Sequence, residues 1–196
     1  MEFRNIFRHL HLVNKHRFYV FKNCAKAGII WQGLTHDLSK YSPTEFFESV
    51  QYFDGEISPI DVCKREKGYS NAWLHHKGRN KHHYEYWQDN FDKGGTSLKM
   101  PYKYALEMVC DYLGAGQAYY GVKRLNKTFY KDEYAWWKNK KSNPLAMNLH
   151  TKLFIELMLS TMAKEGNNDC LRQVRSTFYY KLAYTLAKEV DDNEVC

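Results

Sequence analysis

The sequence predicts an all-α, single-domain, multi-helix bundle, and three observations carry that expectation. Apolar residues recur at helical spacing, beginning with Ile6, Leu10, Val13, Val20 and Cys24. No five-to-eight-residue stretch alternates apolar and polar side chains as a half-buried strand would. The 196 residues, 44% hydrophobic and 16% aromatic, suffice for one sizeable core and fall short of two ordinary domains. One domain over 1–196 is therefore expected, with a core of about 5–122 and C-terminal helices of about 147–190 packed on it.

The first stripe runs to about Ala27, where Gly28 suits the position just past a helix end. A short apolar stretch, IIWQGL, reads as buried and leads into THDLSK. Ser42 as N-cap, Pro43 at the first helical position and Glu45 two residues on form a capping box, followed by Phe46, Phe47, Val50 and Phe53. Asp54-Gly55 ends that helix, and Ser58-Pro59 opens another over about 59–66. GYSNAWLHHKGRNKHHYEYW reads as a helix, a break at Gly78-Arg79, and a second helix from Asn80. Gly94-Gly95 marks a loop, and Pro101 opens a long helix to about Tyr120. The aromatic and basic segment 127–148 is expected to be irregular. Helices over about 147–164 and 169–190 flank EGNND, whose Gly166 and Asp169 suit a C-cap and an N-cap.

Composition narrows the function classes. No apolar run approaches the roughly 18 residues needed to cross a bilayer, and no signal peptide is visible, so no membrane partner is expected. Five cysteines, widely spaced and without a CxxC pair, argue against a disulfide framework or zinc ribbon and fit a reducing cytoplasm. A net charge of +7 favours anionic partners such as nucleotides, phosphate esters or nucleic acid.

Nine histidines are more telling, because eight precede residue 84 and four sit between 75 and 83. His36-Asp37 follows IIWQGL. His16 shares the first stripe with Val13 and Val20, and Asp111 sits beside Val109 and Leu113 with Glu107 one turn earlier. Each has a plain structural reading when taken alone. His16 fits a core histidine bonded to a carbonyl, Asp37 a turn cap, and Asp111 with Glu107 a solvated stripe. His9, His11 and His150 read as structural. Unpaired polar groups on apolar faces cost roughly 2–7 kcal/mol, however, and one divalent metal shared by His16, His36, Asp37 and Asp111 would satisfy all four.

The order His16, His36-Asp37, Asp111, with HDLSK as an HD-x-x-K segment, resembles the HD-domain superfamily of metal-dependent phosphohydrolases over about residues 10–115. The resemblance implies an HD-domain-like all-α fold, a metal held by those four side chains, and hydrolysis of a phosphate ester that Lys40 approaches. AWLHHKGRNKHHYEYW, with HDLSK and KMPYKYALEMVCD, is similar to a family of short proteins classed as a domain of unknown function, across nearly the whole chain. Two-metal HD proteins carry extra histidines, and His75-His76 and His82-His83 offer two pairs. In one continuous helix, His76, Asn80 and His83 would share a face, as would His75, Arg79 and His82.

The expected activity is metal-dependent hydrolysis of a nucleotide or related phosphate ester. His16, His36, Asp37, His75, His76, His82 and Asp111 are the candidate ligands for one or two divalent ions (Mn, Fe, Mg or Zn). Asp37 would orient the nucleophile, while Lys40, Arg79 and His83 hold phosphoryl oxygens. Lys77, Arg79 and Lys81 read equally as a phosphate contact or a solvated basic turn. Two other classes remain open: a di-iron or manganese HD-type enzyme of oxygen chemistry, and a non-catalytic nucleotide or nucleic-acid binder. The second would use the basic aromatic strings FYKDEYAWWKNKKSN and RSTFYYKLAYTLAK, whose aromatics also fit core spacing.

Overall fold

The structure, a computed structural model, describes residues 3–120, 128–142 and 146–174. Among these the chain is mostly helical, with nine α-helices and one small antiparallel sheet. Helix α1 (Phe3–Ala27) buries His9, Val13, His16, Val20, Asn23, Cys24 and Ala27 at intervals of three and four. It ends at Gly28, whose φ of +82° is the left-handed conformation expected there.

The long helix α6 (Tyr102–Tyr120) lies against α1, with Leu106, Val109, Cys110 and Leu113 fully buried. Close approach is needed here: a Cβ on Gly114 would lie 3.0 Å from the backbone N of Val20. Helix α8 (Leu149–Glu165) completes the core with Phe154, Ile155, Met158 and Leu159. Asn148 caps its start by accepting from the His150 backbone N–H at 3.1 Å, and Gly166 (φ +71°) ends it.

Between α1 and α6 the chain forms short pieces. Helix α2 (Ile30–Thr35) is not the buried stretch expected: Trp31 is 76% exposed, and Gly33 is its one buried residue. Helix α3 (Pro43–Gln51) starts as expected, with Ser42 Oγ accepting from the Glu45 N–H. Helix α4 (Pro59–Lys67) ends at left-handed Gly68, and α5 (Asn71–Arg79) starts with Ser70 Oγ accepting from the Trp73 N–H at 3.0 Å.

Four further expectations are corrected. The break in the histidine segment falls at Asn80 rather than Gly78-Arg79, and no α-helix follows it. A turn carries His82 and His83 into a 3-10 turn over Tyr84–Trp87. Two-residue strands β1 (Gln88–Asp89) and β2 (Thr96–Ser97) pair around the Gly94-Gly95 loop, which is too short for alternation to register. Segment 129–142 is not irregular but a helix, α7 (Phe129–Ser142). Phe129, Glu133 and Trp137 face inward four apart, and the carboxyl among them interrupts the apolar pattern. Trp137 Nε1 and Tyr134 OH both donate to the Glu156 carboxylate, at 2.7 and 2.5 Å, fixing α7 on α8. Finally, Asp169 makes no side-chain cap on α9 (Cys170–Gln173), because its Oδ1 is taken by Lys26 Nζ at 2.8 Å. The rest of the helix expected over 169–190 lies outside the described residues, as does all of RSTFYYKLAYTLAK.

Candidate metal centre

His16 reaches the interior from the buried face of α1, and Asp111 from the facing side of α6. His36 and Asp37 arrive between α2 and the 3-10 turn Leu38–Tyr41. Asp37 holds a left-handed backbone, φ +53° and ψ +28°, which aspartate tolerates better than most residues. Arg17, next to His16, clamps this bend: its Nε donates to the His36 carbonyl at 2.9 Å and its Nη2 to that of Leu34 at 3.0 Å. Sequence reasoning passes over Arg17, since nothing in its spacing marks it.

The four groups converge. His16 Nε2 lies 3.2 Å from His36 Nε2, 3.5 Å from Asp37 Oδ2 and 3.1 Å from Asp111 Oδ1. His36 Nε2 lies 3.4 Å from both carboxylate oxygens. Ligands at about 2.1 Å from one ion stand about 3.0 Å apart at an octahedral edge and about 3.4 Å at a tetrahedral one. The separations here, 3.1–3.5 Å, enclose the tetrahedral value and lie just above the octahedral one.

A second group forms on the other oxygen of Asp37. Its Oδ1 lies 3.3 Å from His76 Nε2 and 3.4 Å from His82 Nε2, and His76 Nε2 lies 2.9 Å from His83 Nε2. Asp37 Oδ1 and His82 Nε2 are both buried without a hydrogen-bond partner. Such orphaned atoms are rare, and two facing each other fit a shared cation. Both groups, His16-His36-Asp37-Asp111 and Asp37-His76-His82-His83, could therefore hold a metal ion.

Carboxylates behind the imidazoles set their orientation. Glu107 Oε1 stands 3.0 Å from His36 Nδ1 and 3.2 Å from His82 Nδ1, and Glu45 Oε2 stands 2.7 Å from His76 Nδ1. A proton fixed on Nδ1 leaves Nε2 as the ligating atom, the usual carboxylate–histidine–metal arrangement. Glu45 is missed from the sequence because the capping box claims it. Its N–H does meet Ser42, but its side chain turns to the histidines instead of back to the cap.

The electrostatics follow from this packing. Burial alone would raise the carboxyls of Asp37 and Asp111. His36 and Lys40 beside the first, and His16 and His36 beside the second, outweigh it and hold both well below the usual range. His36 and His76 are lowered by burial yet end up raised, through Asp37 for both and through Asp111, Glu107 and Glu45 in turn. His83 is held well below its ordinary value by burial and by His82 and His76, so it stays neutral.

Of the other expected site residues, Lys40 places Nζ 3.0 Å from Asp37 Oδ2 and lines a cavity of about 200 Å³ shared with His16, His76, His83 and Asp111. His75 turns away from both groups and meets Glu45 Oε1 at 2.6 Å. Arg79 and Lys81 are exposed, and neither they nor Lys77 line this cavity or its neighbour. That neighbour is a chamber of about 740 Å³, which shares Trp73, His83, Asp111 and Tyr119 with the first.

Among the described residues no helix is long and apolar enough to cross a membrane. Residues 5–161 match the sequence model of a family of unknown function, DUF5662, and the chain belongs to that family. No curated protein and no solved structure matches it. The HD-domain likeness therefore rests on the residues alone.

Proposed function

We propose that this DUF5662 protein is a metal-dependent phosphohydrolase acting on a nucleotide or related phosphate ester, with two divalent ions held on either side of Asp37. His16, His36, Asp111 and Asp37 Oδ2 would hold one; His76, His82, His83 and Asp37 Oδ1 the other. When bound, such ions lower the pKa of a coordinated water from about 15.7 toward 7 and polarise a phosphoryl oxygen. Lys40, raised by Asp37 and Asp111 against the effect of burial, keeps its charge in the cavity and would neutralise a non-bridging oxygen. Glu107 and Glu45 orient the imidazoles, and Arg17 holds the bend that carries His36 and Asp37.

The observation that carries this reading is the convergence of ligand atoms on both oxygens of Asp37, with the opposite edges of three imidazoles fixed by carboxylates. Metal analysis of protein purified without added metal should find up to two ions per chain. Hydrolysis across a panel of nitrophenyl phosphate esters and nucleotides should be lost in Asp37→Asn. A metal-free protein whose folding ignores chelation would overturn the centre. Inertness toward every ester would overturn the substrate class alone.

A second reading is favoured by the donor set, five imidazoles to two carboxylates, which suits iron or manganese better than magnesium. Two irons per chain, with oxygen uptake and no ester turnover, would select the oxygen-chemistry class.

A further inference from the structure

The outer side of α1 is apolar where a solvated helix is ordinarily polar. Its exposed positions recur every three or four residues as Phe3, Phe7, His11, Asn14, Phe18 and Lys22, one stripe opposite the buried one. The three phenylalanines on it are 57–74% exposed. Helix α2 and the 3-10 turn after it continue this surface. Gly33 packs so closely on α1 that a Cβ there would meet the backbone of Phe21 at 3.1 Å. The Tyr41 hydroxyl accepts from Arg17 Nη1 at 3.1 Å and donates to Asn14 Oδ1 at 2.5 Å. Ile30, Trp31, Leu34 and Leu38 are consequently held outward beside α1, each more than two-fifths exposed. Single exposed apolar side chains are ordinary, but a contiguous set of this extent marks an interaction surface.

The charge around this face has one sign. Residues 3–47 hold seven Lys or Arg against two acids, Asp37 and Glu45, and both acids are buried at the centre. Arg4, Arg8 and Lys22 are exposed along the outer side, and Lys22 Nζ stands 5.5 Å over the Phe18 ring. That combination decides among occupants. A second copy meeting this face would press cation on cation with no acid to answer. Nucleic acid would answer the cations and stack on the rings, but it leaves Ile30, Leu34 and Leu38 without a counterpart. An anionic lipid surface meets every part. Its headgroups answer the cations, its acyl boundary takes the phenyl and aliphatic groups, and Trp31 suits the junction between them.

We propose that α1 and α2 form a docking face for an anionic lipid bilayer, with α1 lying along the surface and Phe3, Phe7, Phe18 and Trp31 entering the headgroup–acyl boundary. Lying on a bilayer needs no spanning run, so this departs from the expectation that hydropathy alone gives. His16 leaves α1 from the opposite side, and docking therefore requires neither metal nor phosphate ester.

The test is co-sedimentation of the full chain, in chelator, with vesicles of phosphatidylcholine alone or with about 30% phosphatidylglycerol. The protein should bind the mixed vesicles at least about tenfold more tightly than the neutral ones, and about 0.5 M salt should remove most of that difference. Arg4→Gln and Lys22→Gln should each weaken binding about fivefold, the share of one basic group near an anionic surface. Phe18→Ala and Trp31→Ala should each weaken it about tenfold. All four side chains are exposed, so urea midpoints should stay unchanged. No binding to mixed vesicles, equal binding to neutral ones, or binding indifferent to Phe18→Ala and Trp31→Ala would each overturn the proposal. Oligonucleotide binding without vesicle binding would overturn it in favour of nucleic acid. A dimer that Trp31→Ala dissolves in sedimentation velocity would overturn it in favour of a second copy.

Discussion

Asp37 and Glu133 bury their carboxyl groups almost equally, at 1% and 6% exposure, and the protein treats them in opposite ways. Around Asp37, four imidazoles and a lysine crowd both oxygens, and the carboxyl stays ionised despite burial. Around Glu133 stand Gly116 and Asp132, and burial goes unopposed. Burial sets the same penalty in both places, so the neighbours decide the sign. One region is built to hold cations; the other keeps its carboxyl protonated.

The largest effect should come from breaking the ionised side. Asp37→Asn leaves Lys40 and the raised imidazoles without their counter-charge, and removing one partner of a buried pair costs about 3–5 kcal/mol. Urea denaturation in chelator reads that loss, and metal analysis should show both ions gone.

Next comes the protonated side. Glu133 binds its proton more tightly folded than unfolded, so stability should decline as pH rises from about 4.5 to about 8 and level off above. Glu133→Gln should remove that slope and stabilise the protein at pH 9 by on the order of 3 kcal/mol. Denaturation midpoints across that range check it, and an unchanged slope would equate the two carboxyls.

Glu107→Gln probes what lies behind the centre. It should weaken metal affinity about 10–100-fold, read by competition with a coloured chelator.

The smallest expected effect is at His9, packed 5.5 Å from the rings of Phe46 and Phe53. Burial, then Lys40, lowers it to about 4, so it stays neutral in the fold while the unfolded chain takes up a proton below pH 6.5. Stability should fall by about 1 kcal/mol between pH 6.5 and 5.5 from this group, and His9→Phe should abolish that share.

What was legible in the sequence divides along the same line. Ser42-Pro43 and Pro101 announce their helices because caps and proline act locally. His16 and Asp111 stand out because polar groups on apolar stripes demand partners. Glu45 hides behind a capping role that its backbone does fill. His82 and His83 meet His76 through a turn at Asn80, which helical phase cannot foretell. Glu133 is illegible for a related reason: a carboxyl on the inner face of α7 makes the helix look irregular, so the wall it builds goes unseen.

The left-handed backbone at Asp37 also bears on how this centre can change by mutation. One base change in an aspartate codon reaches asparagine and glycine, which accept that backbone but carry no charge. Another reaches glutamate, which keeps the charge but fits the left-handed bend poorly and extends the carboxylate by one methylene. Each near neighbour in the genetic code therefore surrenders either the fold of the bend or the link between the two histidine groups.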